Sequence, residues 1–373
     1  MDKNKKNYIK NFDYVLLLIT ITCIIFGCIE ISSAVKSYPD GSKYILIQSC
    51  AASIGLILMT IICMINYEKY SKYTVLIYTA CVIFLLAVLV FGTGREDTGS
   101  KSWIRFGSIG IQPSEIVKIG FIITFSKLCS DYGDKLNKPK NMFKLTLHAG
   151  FIMGLIMLQP DFGTTMVFIV IYAGILFAAG LSYKYIITAG ISITAAIPII
   201  WNFFLANYQK NRIRVLFDPE SDPLGTGYHV MQSKIAIGSG GVFGKGFGQG
   251  TQTQLDYLPV KHTDFIYSVI GEELGIIGAV IVALLLFSLV LRCFYIAKRN
   301  TDKFGSYICV GIGCMFLAHI FENIGMCIGI MPVTGIPLPF FSYGGSSIIT
   351  NLMAIGLVLS ISMRRNNIKF RKL

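Results

Sequence analysis

Charge is what this chain is short of. Asp, Glu, Lys and Arg make up 14% of its 373 residues, against roughly 25% in an average soluble protein. With 54% apolar residues, a soluble fold of this length could not cover its surface, so soluble-enzyme and nucleic-acid-binding classes are excluded. Metal and redox signatures are missing too. None of the ten cysteines forms a C-x-x-C pair and most fall in apolar runs, so they read as small apolar filler. The four histidines, 148, 229, 262 and 319, show no metal-ligand spacing. No tandem repeat, low-complexity tract or Gly/Ser linker divides the chain. The first apolar stretch is long enough to span a bilayer and has no small-residue cleavage site behind a short core, unlike a removable signal peptide.

What the chain has instead is ten apolar runs, over residues 14–34, 44–65, 73–91, 113–128, 142–158, 162–180, 185–205, 265–291, 304–328 and 345–363. About 20 helical residues cross a ~30 Å hydrocarbon core at 1.5 Å each. The expected fold is all-α: a polytopic integral membrane protein of ten transmembrane helices, with residues 1–373 forming one transmembrane domain. The fourth run is short and holds Glu115 and Lys118, so hydropathy marks it least clearly. The net charge of +13 orients the set, because short cytoplasmic loops collect Lys and Arg. With the N-terminus inside, 21 of the 33 basic residues fall at the inner ends of the spans and 11 at the outer ends, six of those in one long loop. Both termini are then cytoplasmic. The tail Arg364, Arg365, Lys369, Arg371 and Lys372 suits the anionic inner leaflet. The outer face holds the unusual connections: a large extracellular loop over about 206–264, a polar stretch over 92–112, and a stretch over 329–344 with three of the eleven prolines and no charge. Loops beyond about 15 residues usually carry function.

Five constellations could carry chemistry. Trp103 precedes the run Gln112-Pro113-Ser114-Glu115-Ile116-Val117-Lys118. Pro113 suits a first helical position, and Glu115 and Lys118 share a face at i,i+3. An ionisable pair inside a span must face protein or a watery cavity, so it is either a structural ion pair or part of a site; Trp103 alone would be an interfacial anchor. Asp161, in Gln159-Pro160-Asp161-Phe162-Gly163-Thr164, reads first as a helix cap. The long loop offers Arg212, Arg214, Lys234 and Lys245. Its glycines do not make a phosphate loop, because Ser239 stands where the first Gly belongs and Gly246 follows Lys245. Four basic groups beside flexible backbone suit an anionic head group. The loop closes on Lys261-His262-Thr263-Asp264-Phe265, with Glu272 and Glu273 two turns on. Asp264 is either a helix cap or a catalytic carboxylate. Last, residues 332–347 carry three prolines, Ser342 and a Gly pair into the tenth span. Irregular backbone at membrane depth must be buried in protein or line a cavity.

Taken in order, Trp103 with Q-P-S-E-x-x-K, then Q-P-D-x-G-T, H-T-D-F followed by G-E-E-L-G, and G-x-P-L-P-F-x-S-Y-G-G-S-S resemble the SEDS family (shape, elongation, division and sporulation). The motifs cover about residues 103–363, and the hydropathy pattern extends the likeness to the N-terminus. Gly244-Lys245-Gly246-Phe247 with Gly250-Thr251-Gln252-Thr253-Gln254-Leu255 and the short termini resemble the rod-shape (RodA) branch more than the division (FtsW) branch. The resemblance implies a peptidoglycan glycosyltransferase of the bacterial cytoplasmic membrane. It would polymerise lipid II into β-1,4 glycan on the outer leaflet during cell elongation and release undecaprenyl diphosphate. It implies a class B penicillin-binding protein as partner, within the elongation machinery. The family's catalytic aspartate falls on Asp264. Asp256 departs from the Glu often found there in the division branch but keeps its charge.

The residues fit that chemistry. A glycosidase needs two carboxylates, one of them to protonate a poor leaving group. A diphosphate leaves as a stabilised anion and calls for positive charge instead. The expected set is therefore one base, Asp264, with substrate contacts from Trp103, Glu115, Lys118, Arg212, Arg214, Lys234, Lys245, His262, Thr263 and Ser342. No metal ligand is expected, and a divalent cation is the one cofactor left open. The rival classes are a lipid II flippase and a polytopic transporter of lipid-linked substrates. A flippase predicts charged sites reached alternately from both sides, whereas the polar motifs here crowd the outer face. A transporter favours internal repeats, and none is evident.

Overall fold

The computed structural model describes residues 11–94, 101–106, 109–204, 207–223 and 225–364. Of the basic tail, only Arg364 lies within them. A helix stands at each of the ten expected places. They are α1 (Tyr14–Ala34), α2 (Gly41–Met64), α3 (Thr74–Phe91), α4 (Pro113–Tyr132), α5 (Pro139–Met157), α6 (Phe162–Ala178), α7 (Tyr183–Ile199), α11 (Ile266–Arg299), α12 (Lys303–Ile328) and α13 (Gly345–Met363). A two-stranded hairpin, β1 (Ile104–Phe106) with β2 (Ile109–Ile111), precedes α4. Seven helices among the described residues are long and apolar enough to cross a membrane, and α6 is apolar but shorter. The helix α4 is not among them because its charged and polar residues lower its hydropathy; of these, Glu115, Lys118, Thr124 and Ser126 are buried against protein.

The large loop is itself folded. It contains α8 (Asn207–Phe217), α9 (Thr226–Gly240) and the single turn α10 (Thr251–Gln254). Asp222, one of the acidic residues of the loop, accepts from the backbone N–H of Thr226 at 3.0 Å and so starts α9. Ser233 anchors α9 to the bundle by donating to the Cys327 carbonyl, and it pairs with the Ser268 hydroxyl, at 2.6 Å each.

The structure corrects one expectation. The eighth apolar run is not one straight span from residue 265. In α11, Gly275 has φ 69 and ψ −169, which breaks the helix. The lower arm, 276–299, runs antiparallel to α1: Arg292 pairs with Asp13 at one end, and Glu273, just before the break, accepts from Ser33 at the other. Phe294 packs on Gly313 of α12. From that contact, residue 276 lies about 27 Å along the axis at 1.5 Å per residue, level with the far end of α12. Yet the Asp264 carbonyl is hydrogen-bonded to Asn323, more than a turn before that end. The first arm, 266–274, therefore folds back beside α12, and the spanning segment is 276–299.

A break like this exposes backbone groups that a lipid environment cannot satisfy. The glycine-rich stretch after α9 fills the gap. Lys245 N–H and Gly246 N–H donate to the Glu272 and Glu273 carbonyls, and the Gly241 and Val242 carbonyls accept from Ile276 and Ile277. Only glycine suits position 275, since a Cβ there would lie 2.5 Å from the Val242 carbonyl oxygen as well as facing a positive φ.

Candidate active site

Asp264 lies between the end of the large loop and the folded-back arm of α11, and it does not cap that arm. The N-cap is Phe265, with no side-chain cap bond. The partly exposed carboxylate instead faces the Pro-rich segment: a Cβ built on Gly335 would lie 3.5 Å from Asp264 Oδ2. Desolvation pushes its pKa up to about 6, against the opposing pull of the Thr263 hydroxyl and the Arg212 charge. Arg212 on α8 lines a groove with Gln209, Ile213, Phe162, Pro332, Val333 and Thr334. That groove has a cationic group, an apolar floor and a carboxylate within electrostatic reach. Such a set can hold an anionic head group on a lipid chain while a base acts beside it.

The loop bearing Asp264 is pinned on both sides. Ser342 Oγ donates to the Thr263 carbonyl and accepts from Leu338 N–H. Asn323 holds the Asp264 and Ile336 carbonyls. His262 sits among Tyr38, Tyr44 and Tyr343, with ring centroids 5.1–5.5 Å away. Burial and the neighbouring Lys261 lower its pKa to about 4, so it is neutral at physiological pH. Lys261, fully buried, donates to Asp256, Ser37 and the Thr253 carbonyl. It ties the loop to the α1–α2 connection. Nothing in the sequence distinguished this lysine from the other basic residues of the loop.

Beneath the site lies an enclosed polar chain. Lys118 Nζ donates to Glu115 Oε1 and to His319 Nε2, both at 2.7 Å. A lysine ammonium has no acceptor, so His319 carries its proton on Nδ1 and offers it to the Pro337 carbonyl at 3.4 Å. Lys118 and Glu115 are 0% and 2% exposed, and the structure does not bring them to the groove surface. Asp161 caps α6 through Thr164 N–H and also accepts from Gln112.

The remaining candidates are scattered. Lys245 is paired at 2.8 Å with buried Glu272, which also takes the Gln252 and Thr253 N–H groups. Lys234 is exposed, its side chain lying over Gly329 at the C-cap of α12, where a cation meets the negative helix end. Arg214 is exposed on α8, two residues from Arg212. Trp103 bridges Thr93 beside the β-hairpin and packs on Gly110. So Asp264 and Arg212 come within electrostatic reach of each other, Thr263 and Ser342 belong to the turn that carries Asp264, and His262 precedes that turn. Among the described residues no three His, Cys, Asp or Glu side chains gather as metal ligands.

Known proteins resemble this chain over nearly its whole length. The chain is 37% identical over 367 residues to the peptidoglycan glycosyltransferase MrdB of Escherichia coli K12, covering 97% of each. It is 34% identical over 362 residues to a probable peptidoglycan glycosyltransferase FtsW of Geobacter sp. (strain M18), covering 95% of this chain and 98% of that one. Among solved structures, the rod shape determining protein RodA of Thermus thermophilus superposes with a TM-score of 0.72 at 26% identity, over 95% of this chain and 98% of that one. A chain from a structure described as showing structural coordination of polymerization and crosslinking by a peptidoglycan synthase complex gives 0.81 at 27% identity, over 94% and 97%. The cell cycle protein profile of FtsW, RodA and SpoVE matches residues 10–367. The chain belongs to that FtsW/RodA/SpoVE family.

Proposed function

We propose that this protein is a peptidoglycan glycosyltransferase that polymerises lipid II into β-1,4 glycan strands during cell elongation, with Asp264 as general base. The observation that carries this reading is the Asp264 carboxylate beside the Arg212 groove. The acceptor sugar hydroxyl gives its proton to Asp264 as its oxygen attacks the donor's anomeric carbon. The bond to the diphosphate breaks, and undecaprenyl diphosphate leaves as an anion stabilised by Arg212, with Arg214 and Lys234 adding positive field along the loop, while Lys245 is paired with Glu272. Ser342 and Thr263 shape the catalytic turn, and Trp103 takes part from the neighbouring hairpin.

The ten helices act as spans of one transmembrane domain in the bacterial cytoplasmic membrane, with both termini cytoplasmic and the Asp264 loop outside. The distribution of Lys and Arg supports that orientation. The partner is a single-span class B penicillin-binding protein of the elongation machinery. A complex that couples polymerization to crosslinking is described for a structural relative, and this chain has no S-x-x-K and K-T-G pair with which to crosslink peptides itself.

The test uses purified protein with lipid II, glycan length being read on a gel, for the parent and Asp264→Asn. Polymerisation by the parent and a loss of roughly 10²–10⁴-fold in the variant, at parental thermal stability, are expected. A fully active Asn variant refutes the mechanism, and translocation of lipid II without polymer favours the flippase.

A further inference from the structure

We infer that Asn323 is the positioning residue for Asp264, holding the catalytic turn against the Pro-rich segment with one amide group. The inference rests on the reading of Asp264 as the base. Asn323 is fully buried on α12. Its Nδ2 carries two hydrogens and has two acceptors, the Asp264 carbonyl and the Ile336 carbonyl, each at 2.8 Å. These belong to irregular segments far apart in sequence, and neither carbonyl lies in a helix.

The same face of α12 serves the neighbouring groups. His319, one turn earlier, takes the Pro337 carbonyl, and Cys327, one turn later, reaches the Asp264 carbonyl from 3.7 Å. Residues at i, i+4 and i+8 form one stripe, so α12 acts as a ruler along which both segments are set. Gly335, the residue facing the Asp264 carboxylate, immediately precedes Ile336. The amide therefore sets how closely the Pro-rich segment approaches the base.

Only Asn meets this demand. Asp has the shape but no donor when ionised, Ser has one donor, and Gln carries its two donors one methylene too far. A base displaced by about 1 Å loses much of its effect, so Asn323 should act on the chemical step more than on substrate binding.

The groups facing Asp264 are Arg212 from α8, the Thr263 hydroxyl and Cys327 from α12, with His229 of α9 stacked edge-on to the next residue, Phe265. Of these only Cys327 meets residue 323, its Sγ lying 4.0 Å from Asn323 Oδ1, so the acid limb of the pH–rate profile reports the surroundings of Asp264. The experiment compares the parent, Asn323→Ala, Asn323→Gln and Asp264→Asn as full-length, monodisperse protein with lipid II. Asn323→Ala is expected to lower kcat about 10- to 100-fold with KM within twofold, and to move the acid limb from near pH 6 toward the ordinary aspartate range. If the Ala variant does not fold, Asn323→Gln is read alone; it keeps both donors but misplaces them, and the same loss is expected. Parental kcat and an unmoved acid limb in a folded variant overturn the inference. If Asp264→Asn is inactive while the folded Asn323 variants are parental, this inference alone fails. If Asp264→Asn is fully active, the proposed function fails with it.

Discussion

Lys118→Met is the perturbation whose size can be worked most directly from the structure. The lysine is fully buried and its ammonium has two partners, Glu115 and His319. Glu115 Oε2 already has no hydrogen-bond partner. Methionine fills nearly the same volume, so little of the effect comes from a cavity. It removes the charge paired with the buried Glu115 carboxylate and the donor to His319 Nε2. Breaking a buried ion pair from one side costs about 3–5 kcal/mol. With an unfolding entropy of about 2.1 cal/mol/K per residue over 373 residues, that corresponds to a fall in melting temperature of roughly 4–6 °C. The double variant Glu115→Gln with Lys118→Met removes both charges together, and it should recover at least half of the loss. The assay is thermal unfolding in one detergent at neutral pH for the parent, both single variants and the double. A single variant within about 3 °C of the parent would refute the argument, and so would a double variant whose loss equals the sum of the two. Because His319 passes the interaction on to Pro337, the single variant should also polymerise more slowly.

Polymerisation should fall as pH drops through about 6, since a raised pKa leaves Asp264 protonated, and inactive as a base, below that value. At pH 5 the rate should be about a tenth of its plateau. A profile flat to pH 4.5 contradicts the burial of Asp264, and His262 cannot supply the limb because it titrates near 4. Gly275→Ala should destabilise by more than the ~1–2 kcal/mol of a left-handed residue, because its Cβ also meets the Val242 carbonyl; the yield of folded protein after detergent extraction measures this. Lys261→Met should leave Asp256 without its cation and loosen the loop, seen as faster proteolysis between residues 251 and 261 at a largely unchanged bundle stability.

Apolar runs by themselves determined that this chain is a membrane-embedded helical protein, because burying so little charge and so much hydrocarbon has few other solutions. Two helix starts were legible from local cues: Asp161 accepts the N–H bond that starts α6, and Pro113 opens α4 at N1, whereas Asp264 offered the same cue and caps nothing. The motif residues near Asp264 were legible as a set, and their order along the chain carried the family resemblance. What the sequence left undecided is how distant segments meet. An apolar run from 265 onward looks like one span, since hydropathy does not register a reversal at a single glycine; the reversal shows only once residues 241–246 supply the missing backbone partners. Lys245 looks like a free cation in sequence, but tertiary packing gives it the buried carboxylate of Glu272; Lys118 was legible as the partner of Glu115, and the fold adds His319. Asn323 carries no sequence signal strong enough to single it out, because an amide on a helix matters only through the two carbonyls that the fold brings to it. Charge and periodicity are properties of one segment, whereas the desolvation of Asp264 and the pairing of its carbonyl belong to contacts among four, and only the folded chain defines those.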